Sequence, residues 1–95
     1  MYKLGTTKRF DKALKLCQKQ GYPITELKKA IALLVENGNL PSEYKPHILH
    51  GNHEGEWEAH IRPNWLLIWE QNDDELTLLM LTTGTHSDVF GKTRR

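Results

Sequence analysis

The sequence predicts an α+β protein in which a two-helix hairpin packs on one face of a mainly antiparallel sheet of four or five strands. Two observations support this prediction. Apolar residues recur with a helical period up to residue 38, and with the two-residue period of strands after residue 41. The chain has 95 residues, of which 38% are hydrophobic. This is enough for one small domain, expected over 1–91, with 92–95 as a short basic tail.

The first half is predicted to be a short strand followed by two helices. Residues 2–4 can form the strand, and Thr7 is a suitable N-cap for the first helix. That helix should end before Gly21, and a second, capped by Thr25, should end near Gly38. The apolar positions of the first helix are Phe10, Ala13, Leu14 and Cys17, and those of the second are Leu27, Ile31, Leu34 and Val35. Each helix has one apolar stripe, so the two need a further layer to pack against.

The second half is predicted to supply that layer as strands. A short strand over 47–50 precedes a glycine-containing loop, and residues 56–62 then alternate between apolar and polar. Their apolar members (Trp57, Ala59, Ile61) should face the helices, and their polar members (Glu56, Glu58, His60, Arg62) should face away. A turn at Pro63-Asn64 leads into an apolar central strand over 65–69. The last strand, 76–83, ends at Gly84, and residues 85–90 should form a short helical turn.

Composition and charge exclude several classes of protein and of site. The lone Cys17 excludes an internal disulfide framework and a cysteine-rich zinc site. The N-terminus has no apolar run long enough for a signal peptide or a membrane span, so we expect a cytoplasmic protein that does not bind membranes. Residues 1–37 carry eight Lys/Arg against three Asp/Glu, whereas residues 38–95 carry five against nine. The basic first half, which includes Lys8, Arg9 and Lys12, suits a polyanion such as RNA, although a solvated helix face would have the same composition.

Histidines are the residues best suited to chemistry in this chain. There are five: His47, His50, His53, His60 and His86. An unperturbed histidine titrates near neutral pH, so a pair can take a proton from a ribose 2′-OH and give one to a departing 5′ oxygen. This reaction cleaves RNA without a nucleophilic side chain or a metal.

The predicted turns bring several of these residues to one edge of the sheet. His60, Asn64 and His86 should converge there. His47 should lie near His60, although a one-residue slip in strand register would turn it to the other face. A metal site formed by His47, His50 and His53 is the alternative, but residues 47 and 50 of a strand face opposite sides. We therefore predict neither a metal nor any other cofactor.

The second half contains a series of specific motifs. They are Leu40-Pro41, Tyr44-Lys45, His47, Leu49, Gly51, Glu58 to Ile61, Pro63 to Trp69 and Thr83 to Gly91. These motifs resemble those of the YafQ-type toxins of the RelE/ParE superfamily. The resemblance covers nearly the whole chain and agrees with the predicted order of elements.

The resemblance implies a type II toxin that cuts mRNA in the ribosomal A site and is blocked by a cognate DinJ/RelB-like antitoxin. The resemblance also implies that the family's catalytic histidines correspond to His47, His60 and His86, and that its C-terminal aromatic residue corresponds to Phe90. Trp65 follows the position of the family's acidic residue and is a candidate for stacking on a base.

Two positions depart from the family pattern, because Asn64 stands where Asp is usual and Thr82 where Arg is usual. An amide cannot act as a carboxylate base, and a threonine cannot neutralise a phosphate. These departures predict reduced activity unless Arg62 or Lys45 supplies the missing charge. The alternative is an attenuated or non-catalytic protein that binds antitoxin and ribosome without efficient cleavage. A ParE-like gyrase inhibitor is a third reading, but that branch lacks this set of histidines.

Overall fold

The protein is built around one five-stranded mixed sheet. A computed structural model of the chain describes residues 1–51 and 55–91. The strands β1 to β5 lie in the spatial order β1-β5-β4-β3-β2, and their bounds are Lys3–Thr6, His47–Ile48, Glu56–Arg62, Trp65–Asn72 and Thr77–Gly84. All neighbouring strands are antiparallel except β1 and β5. The predicted α+β class and order of elements are confirmed. His53 and the predicted tail 92–95 lie outside the described residues.

Two helices, α1 (Lys8–Lys19) and α2 (Ile24–Asn37), cover one face of the sheet. The Thr7 hydroxyl accepts a hydrogen bond from the Phe10 amide and caps α1, as predicted. The predicted Thr25 cap is wrong, because α2 begins at Ile24 after Pro23 and has no side-chain cap. Pro23 fixes the entry into the first turn in place of a capping hydroxyl. No helix within the described ranges is long and apolar enough to cross a membrane.

The main core lies between these helices and the sheet. Its buried members from the helices are Phe10, Cys17, Leu27, Ala30 and Leu34, and those from the strands are Ala59, Trp65, Leu67, Trp69, Leu78 and Met80; Leu40 completes the set. Trp57 and Ile61 pack against it, as the alternation along β3 predicts. All five residues of 65–69 are buried, which confirms a central strand covered on both faces.

A third helix, α3 (His86–Phe90), covers part of the opposite face. Val89 is buried there against Leu66 and Ile68 of β4. A reciprocal pair of hydrogen bonds between Thr85 and Asp88 closes its first turn. The predicted helical turn is confirmed. We call the sheet face opposite α1 and α2 the open face, and α3 covers part of it.

Gly84 is required at the junction between β5 and α3. Its φ is +140°, a conformation that side chains with a Cβ rarely adopt. A Cβ at this position would also lie 2.9 Å from the Cβ of Asp88. The glycine therefore lets the strand end pass directly under the first turn that carries His86.

Two bulges change which residues share a face. The register shifts between His60 and Arg62 on β3, and between the pairs Ile68–Thr82 and Trp69–Met80 on β4 and β5. The extra residue in each bulge reverses the inward and outward alternation beyond it. The first bulge moves Arg62 away from the open face, and the second brings Thr82 next to Ile68 on that face.

Candidate functional site

A buried carboxylate links two of the predicted histidines. Glu58 is paired with His47 across β3 and β2, and it shares the open face with His60, two residues further along β3. One oxygen of Glu58, Oε1, lies 3.1 Å from His47 Nε2 and 3.7 Å from His60 Nε2. The first distance is that of a hydrogen bond, whereas the second is a close electrostatic contact. The Glu58 side chain is only 7% exposed, so water screens this cluster weakly.

The two histidines differ in accessibility. The side chain of His47 is 50% exposed and that of His60 is 28% exposed. The backbone carbonyl of Lys45 lies 3.0 Å from His47 Nδ1, which fixes the ring between this carbonyl and Glu58. An imidazole held at both nitrogens has a defined orientation. The predicted proximity of His47 and His60 is therefore confirmed, with Glu58 between them.

His86 lies at the other side of the same region. It lines a groove with Asn64 and Leu66, and its ring centroid is 5.0 Å from that of Phe90. Leu66 is the register partner of His60 on the neighbouring strand. Leu66 therefore lies between His60 and the groove of His86. The structure brings His60, Asn64 and His86 to one end of the sheet, as predicted.

Arg62 does not face this cluster. Its guanidinium forms two hydrogen bonds with the Glu26 carboxylate of α2, on the helical side of the sheet. These hydrogen bonds lower the pKa of Glu26 and raise that of Arg62. The expectation that Arg62 lies on the open polar face is wrong. Strict alternation gave that expectation, and the bulge after His60 reverses it.

Trp65 is a core residue. It is 2% exposed, its indole nitrogen donates to Thr83 Oγ1 at 2.9 Å, and Tyr22 packs edge-on against it with centroids 5.0 Å apart. Its neighbours on the helical side cover the ring, so it has no free face for a base. The candidacy of Trp65 for base stacking is therefore corrected.

The basic residues are divided between the two layers. Lys8 and Lys12 are exposed on α1, and Lys45 is exposed beyond the 3₁₀ turn Ser42–Tyr44. Arg9 differs from its neighbours, because its guanidinium reaches the open-face side and donates to the backbone carbonyl of Val89 in α3. The sequence groups Arg9 with Lys8 and Lys12 in the basic first half, but its guanidinium does not lie on the helix face with theirs. Its long side chain reaches α3.

Thr82 is buried at the cavity that Arg9 also lines. It is 3% exposed, and it lines a cavity of about 240 Å³ together with Arg9 and Phe90. Thr82 carries no charge into this cavity.

Within residues 1–51 and 55–91, no group of three or more His, Cys, Asp or Glu side chains could hold a metal ion.

Glu58 is a candidate functional residue that the sequence motifs do not single out. The alternation along 56–62 placed it on the polar face beside His60, which was the available signal. Its partnership with His47 depends on the register between β2 and β3. The short strand β2 has only two residues, so its hydrophobic pattern does not determine that register.

A two-helix layer on a mixed five-stranded sheet is the fold of the RelE-like toxins. Comparisons with known proteins agree with this class. A family model described as "Bacterial toxin of type II toxin-antitoxin system, YafQ" matches residues 2–91. The chain therefore belongs to the YafQ family of toxins, and the resemblance seen in the sequence is confirmed.

Individual relatives support the same assignment. The chain is 38% identical over 84 residues to the "mRNA interferase toxin YafQ" of Escherichia coli K12, which covers 87% of this chain and 89% of the relative. It is similar to the crystal structure of YafQ from E. coli BL21(DE3), with a TM-score of 0.88, 34% identity and coverage of 96% and 100% of the two chains. The E. coli DinJ–YafQ toxin–antitoxin complex matches with a TM-score of 0.86, 35% identity and coverage of 95% and 98%.

Proposed function

We propose that this YafQ-family toxin is an mRNA interferase, an endoribonuclease that inhibits translation by cutting mRNA on the ribosome. The observation that supports this most directly is the pairing of Glu58 with His47 and His60, on the same sheet end as Asn64 and His86. Relatives at this level of identity are named mRNA interferases. Two separated groups able to exchange protons are what cleavage of a ribose–phosphate backbone needs.

The reaction divides between the two sides of the site. His60 takes the proton of the 2′-OH, and the resulting oxygen attacks the adjacent phosphorus. The bond from phosphorus to the 5′ oxygen breaks, and His86 gives its proton to that oxygen. The products are a 2′,3′-cyclic phosphate and a 5′-hydroxyl, so this step consumes no water. The imidazolium formed at His60 lies beside the Glu58 carboxylate, which stabilises the new positive charge.

His47, Asn64 and Phe90 have supporting roles in this proposal. His47 holds Glu58 by its 3.1 Å contact, so that the carboxylate is positioned for His60. Asn64 lines the groove of His86 and offers an amide to a ribose or phosphate oxygen there. Phe90 packs against the His86 ring and presents an aromatic edge to a base.

The partners follow from the same assignment. The related YafQ of E. coli forms a complex with the antitoxin DinJ, and we expect a DinJ-like antitoxin to block this chain. The exposed Lys8 and Lys12 of α1, together with Lys45, are suited to phosphates of ribosomal RNA and mRNA. Ribosome-dependent action would place the protein in the cytoplasm.

Reconstituted cleavage tests the proposal. Ribosomes programmed with a defined mRNA are mixed with wild-type protein, with His60→Ala and with His86→Ala, and the new RNA ends are identified. We expect cleavage by wild type only in the presence of ribosomes, with 5′-hydroxyl ends, and a loss of about 10²–10⁴-fold in each variant. Retained folding and antitoxin binding by both variants is the required control. Absence of cleavage by the wild type, with ribosome binding intact, would instead support a non-catalytic binding protein.

A further inference from the structure

The geometry points to Arg9 as the group that binds the scissile phosphate, in the cavity between α1, α3 and the open face of the sheet. This inference rests on the proposed function. Thr82, Ile68 and Phe90 line the cavity with Arg9. Its volume of about 240 Å³ is below the range of about 300–1,000 Å³ for pockets that enclose drug-sized ligands. The cavity therefore fits a phosphodiester group rather than a whole small molecule.

Two residues that line the cavity are also neighbours of the histidine site. Ile68 is the register partner of Glu58 on one side and of Thr82 on the other. Phe90, which lines the cavity, is also the residue whose ring packs against His86. A phosphate held at Arg9 would thus lie next to Phe90, which packs against His86, and next to Ile68, which is paired with the Glu58 that contacts His60.

Arg9 is available to bind an anion. Its guanidinium has five N–H donors, of which the hydrogen bond to the Val89 carbonyl uses one. The ion pairs of residues 1–51 and 55–91 join Arg62 to Glu26 and the two histidines His47 and His60 to Glu58, and Arg9 takes part in none of them. Arg9 is also the only Lys or Arg among the described residues that line this cavity.

The acidic residues of the cavity restrict where the phosphate binds. Glu56 and Glu70 line it together with Arg9, and they face each other across β3 and β4. Their charges repel a phosphate from the part of the cavity nearest β3 and favour the part beneath α3. The hydrogen bond to Val89 holds the guanidinium at that helix. Arg9 therefore supplies, from α1, a positive charge that the neutral Thr82 does not.

Binding of a non-cleavable probe tests this without relying on catalysis. A dinucleotide with a 2′-deoxy sugar at the attacking position is titrated into wild-type protein, and the NMR signal of the Arg9 Nε–H group is followed. A matched dinucleotide with an uncharged methylphosphonate linkage is the control ligand. We expect the charged dinucleotide to shift the Arg9 signal and the methylphosphonate to leave it unchanged. No shift with the charged dinucleotide, or equal shifts with both, would overturn the inference.

Single-turnover cleavage on ribosomes provides the second readout. We expect Arg9→Gln to lower the rate by about 10²-fold, Arg9→Lys to lower it less, and Lys28→Gln, an exposed charge removal on α2, to leave it unchanged. The double variant Arg9→Gln/Thr82→Arg should recover part of the rate, because it returns a guanidinium to the same cavity. A rate within threefold of wild type for Arg9→Gln would contradict the inference. An inactive wild type that still gives the charge-dependent NMR shift would refute the proposed cleavage but not the phosphate site.

Discussion

Replacement of Glu58 by glutamine gives the sharpest prediction about how the site is organised. The amide has nearly the same shape but no charge, so it retains one acceptor oxygen and loses the attraction to two imidazoles. In the structure, Oε1 lies 3.1 Å from His47 and 3.7 Å from His60, and the side chain is 7% exposed. A hydrogen bond that involves a charged group contributes about 1.5–3 kcal/mol. If this stabilisation is lost from the transition state, the rate falls by about 10- to 150-fold.

The assay is single-turnover cleavage of ribosome-bound mRNA at saturating toxin. Glu36→Gln is the matched control, because it makes the same chemical change on an exposed position of α2. We expect Glu58→Gln to lose the predicted factor, Glu58→Asp to lose less, and Glu36→Gln to match wild type. Urea unfolding of each variant accompanies the assay. If His60→Ala is inactive in the same assay, a change of less than threefold in the cleavage rate of Glu58→Gln would refute the reasoning.

Three further predictions concern stability and reactivity. Burial raises the pKa of the Cys17 thiol, so iodoacetamide should label Cys17 only after denaturation; rapid labelling of the native protein would contradict its core position. Arg62 lowers the pKa of Glu26, so their pair stabilises the protein above the ordinary carboxyl pKa and loses this effect as pH falls. Urea midpoints of Glu26→Gln should therefore lie slightly below wild type at neutral pH and coincide with it in acid; a constant difference would argue against the ion pair. Trp65→Phe removes the hydrogen bond to Thr83 and should lower the free energy of unfolding by about 1–3 kcal/mol without slowing cleavage; a large loss of cleavage in a stable variant would restore the base-stacking role.

Local patterns were sufficient to predict most of the fold. The Thr7 cap, the left-handed Gly38 at the end of α2 and the alternation along β3 each depend on residues close in sequence. The Thr25 prediction failed because a threonine near the start of a helix caps it only if the helix begins immediately after it. Pro23 began α2 earlier.

The candidate site was less accessible from sequence because it depends on register and on bulges. The histidines were recognised from their residue type, but the contact between Glu58 and His47 depends on the register between β2, which has only two residues, and β3. The position of Arg62 depended on a single extra residue in β3, which no periodicity signals. Arg9 belonged by sequence to a basic helix face, and only the packing of α3 against the sheet places its guanidinium on the other side.

A map of mRNA ends after induction of the chain tests the central claim most directly. Primer extension on a translated transcript would be compared between wild type and His86→Ala, with the same transcript made untranslatable by loss of its start codon. We expect discrete new 5′ ends within the coding region for wild type, none for His86→Ala, and none on the untranslated transcript. Equal cutting by wild type and His86→Ala, or growth inhibition by wild type without any new mRNA ends, would contradict the proposed histidine-dependent mRNA cleavage.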